Sequence, residues 1–528
     1  MKRKWMHVYR YFIGFLIVSI SLSACGPLWG TYETTTAEAT QTVSTVTPPP
    51  PTPTETPSPL PTETVAPTET ATSTPVTPSP TRDPQATLPP SIVYYSQSGD
   101  TLQAIAARFM VEVGLISSSE SLPEAERLLE PDTPLLIPNF LLGVETSPSD
   151  IILPDSEAVF SPSVTDFNVR EYVKDAGGYL STYTEYVGLP SITDGIDSVE
   201  HTALGWSINP RLLLALIEYE GGWVTGSPGN LAKTDYPLGN TDILYKGLHK
   251  QLQWAAEELS VGYYGWRMGA LTELTFKDGS RLHLAPGLNA GSAAILYYFS
   301  THMTRLQWEA AIDPDAGFPA RYAGMFGDPW VRARLVEPLY PPALVQPELN
   351  LPFAEGQTWW LSGGPHAPWL GRGGWAALDF APGSEIGGCT DSIRWVLASA
   401  PGLVVRSETG VVVLDLDGDG YEQTGWVLLF LHVATKDRVE SDTWLEADEK
   451  IGHPSCEGGQ ATGTHIHIAR KYNGEWILAD GPLPFVLSGW VAHNGDAPYE
   501  GTMTNGDRTA TADPDGRPYS AVERFADE

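Results

Sequence analysis

The chain has 528 residues, and its 64 Asp and Glu against 31 Lys and Arg leave a formal net charge of −33. Such a surface repels phosphate backbones and excludes a nucleic-acid binder. With 51 Gly, 46 Pro and 42% hydrophobic residues, the composition predicts several domains rich in loops and β-structure and excludes a multi-span membrane protein.

The N-terminus carries Lys2, Arg3, Lys4 and Arg10, then an apolar run from Tyr11 to Leu22, then Ser23-Ala24-Cys25. A basic segment, an apolar stretch too short to span a bilayer and small residues before a cleavage point read as an export signal. Leu22-Ser23-Ala24-Cys25 resembles the bacterial lipobox. That resemblance implies a lipoprotein signal peptide over 1–25 and lipidation of Cys25. The alternative is a plain secretory signal, and either one places the working protein outside the cytoplasm. Residues 31–90 hold 20 Thr and 15 Pro, with no Trp, Phe, Cys or Lys. Such a composition cannot bury a core, so 26–90 is expected to be an extended stalk.

Order resumes at Ser91. Ile92–Tyr95 reads as a short strand, and Asp100 as the N-cap of a helix. Leu102, Ile105, Ala106 and Phe109 share one face of that helix. The segment closes on Leu135-Leu136-Ile137-Pro138-Asn139. Gly99-Asp100-Thr101-Leu102, Ile105-Ala106, Arg108-Phe109 and the closing Leu136-Ile137-Pro138 resemble a LysM domain over 91–139. The resemblance implies a βααβ fold that binds N-acetylglucosamine polymers such as peptidoglycan; a purely structural module is the alternative.

A linker is expected over 140–159 and a helical domain over 160–345. In the latter, Asn209 caps a helix that begins at Pro210 and stops at Gly221-Gly222. Further helices are expected over about 245–264 and 289–299. Leu213, Leu216, Ile217 and Glu220 share a face of the first helix, and a carboxylate on an apolar face suits a general acid. Ala215-Leu216-Ile217-Glu218-Tyr219-Glu220-Gly221 resembles the catalytic helix of lysozyme-like lytic transglycosylases. That resemblance implies Glu220 as the acid, with Glu218 the weaker candidate. The alternative is a structural helical domain in which Glu220 pairs with an Arg.

Six of the eleven histidines fall between 366 and 493. Thr464–Ala469 alternates as a strand, so His465 and His467 point to one side and Ile466 and Ile468 to the other. Two converging imidazoles suggest a zinc site. Upstream stand Ser362-Gly363-Gly364-Pro365-His366, then Asp379 thirteen residues on, then His432 at the end of an apolar strand. Over about 350–490 these elements resemble the lysostaphin/LytM-type zinc endopeptidases. The long His366-to-Asp379 spacing resembles the β-lytic or staphylolytic branch. The resemblance implies a mainly antiparallel β domain over 346–493 that cuts peptide bonds in bacterial walls. On the family pattern one Zn2+ is held by His366, Asp379 and His467, while His465 and His432 handle protons and polarise the carbonyl. Three ligands leave a fourth position for water.

Cys389 and Cys456 lack Cys-x-x-Cys spacing and form one possible disulfide. Asp415, Asp417, Asp419 and Gly420 resemble the start of an EF-hand loop, which implies Ca2+. Trp426 stands where position twelve needs Glu, and a hairpin turn between Leu403–Leu414 and Trp426–His432 is the alternative. Trp359, Trp360, Trp369 and Trp375 either wall a groove or fill a core. Residues 494–528 are polar and Gly-rich and read as a loose tail.

The whole reads as a multidomain, lipid-anchored wall enzyme: a small βααβ LysM-like module, a mainly α lysozyme-like domain and a mainly antiparallel β metallopeptidase domain. Its expected partners are peptidoglycan and the lipid bilayer, with no nucleic acid. Two rivals remain at this stage: a non-catalytic wall-binding or hydrolase-regulating protein, and a glycan-cleaving enzyme acting through Glu220.

Overall fold

In the N-terminal module, Ile92–Tyr95 and Leu135–Ile137 pair as expected. β1 (Ser91–Tyr95) and β2 (Pro134–Pro138) run antiparallel on either side of α1 (Leu102–Arg108), with Tyr94 opposite Leu135. The helix cap is Thr101, which accepts the Ala104 N–H, and not Asp100. Asp100 is turned inward, where it accepts the Tyr94 hydroxyl at 2.6 Å and pairs with Arg108 at 2.7 Å. The second helix of the expected βααβ pattern does not form. A single 3-10 turn at Val113–Leu115 follows α1, and the Ser- and Glu-rich stretch after it, broken by Pro123 and Pro131, bonds back to Asp100 and Gln103 through Leu129 and Ala125. The computed structural model describes residues 88–188, 191–382, 388–390 and 392–526. The expected signal peptide, Cys25 and the stalk up to residue 87 lie outside the described residues.

The middle of the chain forms α2 (Val169–Ala176), the hairpin β3 (Thr184–Gly188) and β4 (Ser191–Asp194), and then α3 (Gly195–Trp206), α4 (Pro210–Gly221) and α5 (Leu231–Asp235). The long α6 (Leu248–Arg267), the hairpin β5 (Glu273–Thr275) and β6 (Arg281–His283), and α7 (Ala290–His302) follow. Three shorter helices, α8 (Arg305–Ala311), α9 (Phe318–Phe326) and α10 (Pro329–Val336), complete it. α4 begins and ends as its sequence dictates: Asn209 accepts the Arg211 N–H, Pro210 opens the first turn, and Gly222 closes it at φ +71°. α6 starts three residues later than expected because Gly247 takes φ +100° and Tyr245 belongs to a separate 3-10 turn. α6 and α7 pack closely through small residues; a Cβ on Gly262 would stand 2.7 Å from the Ala294 Cα. The expected linker over 140–159 is part of this core. Leu153, Ala158 and Val159 are buried, and the Leu153 carbonyl accepts from the Asn289 amide at 2.8 Å.

The C-terminal part is antiparallel β. Its strands are β7 (Thr358–His366), β8 (Ala377–Pro382), β9 (Val396–Leu397), β10 (Gly402–Glu408), β11 (Gly410–Asp415), β12 (Trp426–Val433), β13 (Trp444–Leu445), β14 (Lys450–Gly452), β15 (Ile466–Tyr472) and β16 (Glu475–Trp476). After them come β17 (Val486–Leu487), β18 (Trp490–Asn494), β19 (Gly501–Asn505), β20 (Arg508–Thr511) and β21 (Ala521–Glu523). The main sheet runs β13-β10-β11-β12-β15-β8-β7-β21, with β16 paired to β15. The run expected as one strand over Leu403–Leu414 is two, because Gly410 at φ +75° turns the chain back on itself.

Both faces of this sheet are buried, as its near-continuous apolar strands require. Val412, Leu414, Leu428, Phe430, Ile466 and Ile468 share one core with β17–β20. Val411, Val413, Val427, Leu429, Leu431 and Ala469 share the other core with the helices. The expected loose tail over 494–528 is therefore structural: Met503, Ala510 and Val522 are fully buried, and β21 pairs with β7, Val522 opposite Trp359. One buried cation joins the parts. Arg267, at the end of α6, donates to Glu475 of β16 at 2.9 Å, to Asp155 at 2.9 Å and to the Ser98 carbonyl of the N-terminal module. Among the described residues no helix is long and apolar enough to cross a membrane.

Candidate metal centre

Three neighbouring strands bring the expected ligands together. β15 and β8 place His467 directly opposite Asp379, and β8 and β7 place Asp379 opposite Gly363. One extra residue then enters β7 before His366 pairs with Ala377. This bulge re-aims the His366 ring toward the other two side chains. The two glycines ahead of it are required by close approach: a Cβ on Gly363 would stand 2.5 Å from Asp379 Oδ2, and one on Gly364 would stand 2.3 Å from the Glu500 carbonyl. A second bulge lies in β12, where Leu431 pairs with Val411 and Val433 with Gly410. The extra residue is His432, held at φ +66°. A non-glycine residue in that backbone region is uncommon, and here the bulge imposes it and turns the His432 side chain out of the strand's alternation.

The three ligand atoms form a near-equilateral triangle. His366 Nε2 stands 3.0 Å from His467 Nδ1 and 3.4 Å from Asp379 Oδ1, and His467 Nδ1 stands 3.1 Å from Asp379 Oδ1. Each imidazole gives its other nitrogen to a backbone carbonyl. His366 Nδ1 donates to Gly364 O at 2.8 Å, and His467 Nε2 donates to Pro368 O at 3.0 Å. A carbonyl cannot donate, so those nitrogens carry the protons. The inward nitrogens are left with lone pairs aimed at each other and at a carboxylate. All three groups are buried. Two lone pairs and an anion in contact repel unless a proton or a metal ion lies among them. Tetrahedral zinc ligands at about 2.0–2.1 Å stand roughly 3.3 Å apart, close to the spacing seen here. The donor set therefore fits a metal ion, and the carbonyls behind the rings are the usual outer support.

The electrostatics agree. Burial alone would lower His366, but Asp379 outweighs it and raises the ring's pKa above its ordinary value. Burial would raise Asp379, but His366, His465 and His467 hold it well below the usual carboxylate range. Burial lowers His467. The two opposed shifts share one cause, since the Asp379 carboxylate favours positive charge beside it.

His432 and His465 stand beside this triangle with ring centroids 4.5 Å apart. Both follow the same rule: His432 Nδ1 donates to Glu457 O at 2.9 Å and His465 Nδ1 to Gly463 O at 2.8 Å. Among the described residues the His432 Nε2 has no hydrogen-bond partner, and that of His465 lies 3.7 Å from Asp379 Oδ1. Burial, reinforced by His465 and His467, pushes His432 down to about 4, so it is a free base at neutral pH. All five side chains line one cavity of about 740 Å³. The disulfide Cys389–Cys456 is formed.

A model of the LasA N-terminal domain matches residues 151–340. Protease LasA of Pseudomonas aeruginosa (strain UCBPP-PA14) is 26% identical over 326 residues, 59% of this chain and 74% of that protein. The beta-lytic metalloendopeptidase of Lysobacter enzymogenes is 28% identical over 143 residues, 27% of this chain and 77% of the relative. The chain is a metalloendopeptidase. Among solved structures, the M23 metalloprotease pseudoalterin from the deep sea aligns at 21% identity with a TM-score of 0.27, covering 32% of this chain and 96% of that one.

Other expectations resolve differently. Tyr499, within the stretch expected as tail, stacks on His366 with centroids 4.0 Å apart and lines the cavity. Sequence reasoning missed it because no spacing links it to the histidines. Of the four tryptophans, Trp369 lines the cavity, whereas Trp359 is core, stacked on Phe353. Glu220 is mostly buried, with its carboxylate 3.1 Å from His302 Nε2. Glu218 accepts the N–H groups of Val224 and Thr225 and holds the turn after α4. Asp415, Asp417 and Asp419 do cluster, but their carboxylates accept backbone N–H groups of Asp417, Gly420, Asp419 and Tyr421, as a hairpin turn does. Nothing beyond the cluster itself supports Ca2+ at this turn.

Proposed function

We propose that this chain is a zinc endopeptidase that hydrolyses peptide bonds of bacterial cell-wall peptidoglycan, outside the cytoplasm, on a lipid anchor at Cys25. The observation that carries the reading is the triangle of two imidazole lone pairs and one carboxylate, each locked from behind. Zinc held by His366, Asp379 and His467 would supply Lewis acidity at the scissile carbonyl and acidify a water. His432, neutral at working pH and buried beside the ligands, takes the proton of the attacking water and returns it to the leaving amine. His465, in its doubly protonated form with Nδ1–H held on the Gly463 carbonyl, donates from Nε2 to the oxygen that gains charge. Tyr499 covers the outer face of His366 and fixes that ring. The formed disulfide supports an oxidising compartment, as export through the N-terminal signal requires.

Two variants separate this reading from a wall-binding role. His467→Ala is expected to lose both bound zinc and release of new amino termini from purified walls. His465→Ala is expected to keep zinc and lose cleavage. Wall digestion by His467→Ala at the wild-type rate refutes the zinc assignment.

A further inference from the structure

The loop between β7 and β8 belongs to two parts of the molecule at once. On one side Trp369, Leu370 and Gly371 form a wall of the cavity. From behind the metal centre, the Pro368 carbonyl holds the His467 ring at 3.0 Å. On its other side the loop rests on the helices. Arg372 donates its backbone N–H and its Nε to Glu257 at 2.9 and 3.0 Å, and a terminal nitrogen to Glu258 at 2.6 Å, both on α6. The Trp369 indole lies against Gly205 of α3, where a Cβ would stand 2.5 Å from its Cε2. A Cβ on Gly374 would stand 2.8 Å from the Tyr264 ring.

The loop, residues 367–376, forms no helix or strand of its own. Gly371, Gly373 and Gly374 leave its backbone free to take many conformations, and two of them sit at positive φ. What fixes it comes from outside: α3 and α6 on one side, and on the other Leu478 and the Ala479 N–H, which bonds the Trp375 carbonyl at 2.8 Å. The helices pack on the sheet face from which Asp379 and His467 also project, since Leu431 and Ala469 of that face belong to the helical core.

We propose that the helical segment sets the catalytic groove: Glu257 and Glu258, acting through Arg372, and Gly205, acting through Trp369, are positioning residues for the β7–β8 loop. The proposal deepens the peptidase reading and rests on it for its effect on cleavage. Arg372 is largely solvent-exposed, so its ion pairs add little to global stability. Their effect is local, on the wall of the groove and on the ring behind it. Displacing a catalytic group by about 1 Å lowers rates on the order of a hundredfold.

The test uses the full chain as the Glu257→Gln/Glu258→Gln double variant and as Gly205→Ala. The second adds one methyl in the last turn of α3, where Ala is a better helix former than Gly, yet it must push the Trp369 indole aside. Four quantities are read: bound zinc, thermal midpoint, amide hydrogen exchange over residues 367–376, and kcat/KM for release of amino termini from purified cross-linked walls. Both variants are expected to keep zinc and midpoint, to exchange roughly tenfold faster in the loop and to lose about tenfold or more in kcat/KM. Wild-type exchange together with wild-type cleavage overturns the proposal, and so does a loss of zinc or midpoint in step with activity. If the wild-type chain binds no zinc and cuts no wall, the peptidase reading fails, while the exchange data still decide whether the helices hold the loop.

Discussion

Glu475→Gln removes one charge from the most buried ion pair that joins the helices to the sheet. Arg267 is 8% exposed and Glu475 2% exposed, and they meet through two hydrogen bonds of 2.9 and 3.0 Å. Unit charges about 4 Å apart attract by roughly 4 kcal/mol at an effective dielectric of about 20. Breaking a buried pair by neutralising one partner typically costs about 3–5 kcal/mol, because the other charge stays behind in a poorly solvated site. Asp155 remains 2.9 Å from the same guanidinium, and glutamine still accepts the Tyr263 hydroxyl that now bonds Glu475 at 2.8 Å. The expected loss is therefore at the low end, about 3 kcal/mol. Urea unfolding of the full chain, followed by both far-UV dichroism and tryptophan emission so that a two-state transition can be verified, measures it. Arg267→Met, and the double variant with Glu475→Gln, complete a cycle. The double variant should lose at least about 1 kcal/mol less than the two singles summed, since one pair is broken only once. A silent Glu475→Gln, or strict additivity in the cycle, refutes the account of Arg267 as a paired buried charge.

Three further outcomes are expected. Gly363→Ala forces a methyl into Asp379 Oδ2 and should release the bound metal, read as metal per chain after dialysis; full occupancy counts against the close-approach argument. A histidine titrates near about 6.5 in an unfolded chain, whereas His432 in the fold is pushed down to about 4. The unfolded state therefore binds the extra proton between those values, so the His432 contribution is full above about pH 6.5 and shrinks as pH falls toward 4. His432→Gln should flatten the fall of the urea midpoint over that window, and identical slopes in variant and wild type refute it. Cys389→Ser with Cys456→Ser opens a loop spanning 67 positions and should cost about 4 kcal/mol in the chain-entropy picture; an unchanged urea midpoint contradicts it.

What the sequence disclosed was local. The alternation around His465 and His467 is a period-two pattern, and Asn209, Pro210 and Gly222 are short-range cap signals, so strand face and helix ends were legible. The disulfide partners followed from having two remaining cysteines. The positions that failed depend on contacts far away in the chain. Asp100 has the chemistry of a cap, but Arg108 and Tyr94 claim its carboxylate. The strands after residue 500 bury single small or apolar residues, Met503, Ala510 and Val522, among polar neighbours, which leaves no run to detect. The left-handed turn at His432 and the stacking of Tyr499 on His366 are set by the pairing of strands and leave no mark on spacing. Arg267 is one of 31 basic residues, and nothing local tells that it is the one enclosed by three segments.

The pairing of β21 with β7 has a consequence for any shortened form of the protein. The outer edge of the strand that carries His366 is covered by residues 521–523. Cutting the chain ahead of that segment would bare a row of unpaired backbone groups, which both loosens the strand and invites edge-to-edge association between molecules. A minimal version of the metal centre therefore has to keep this border.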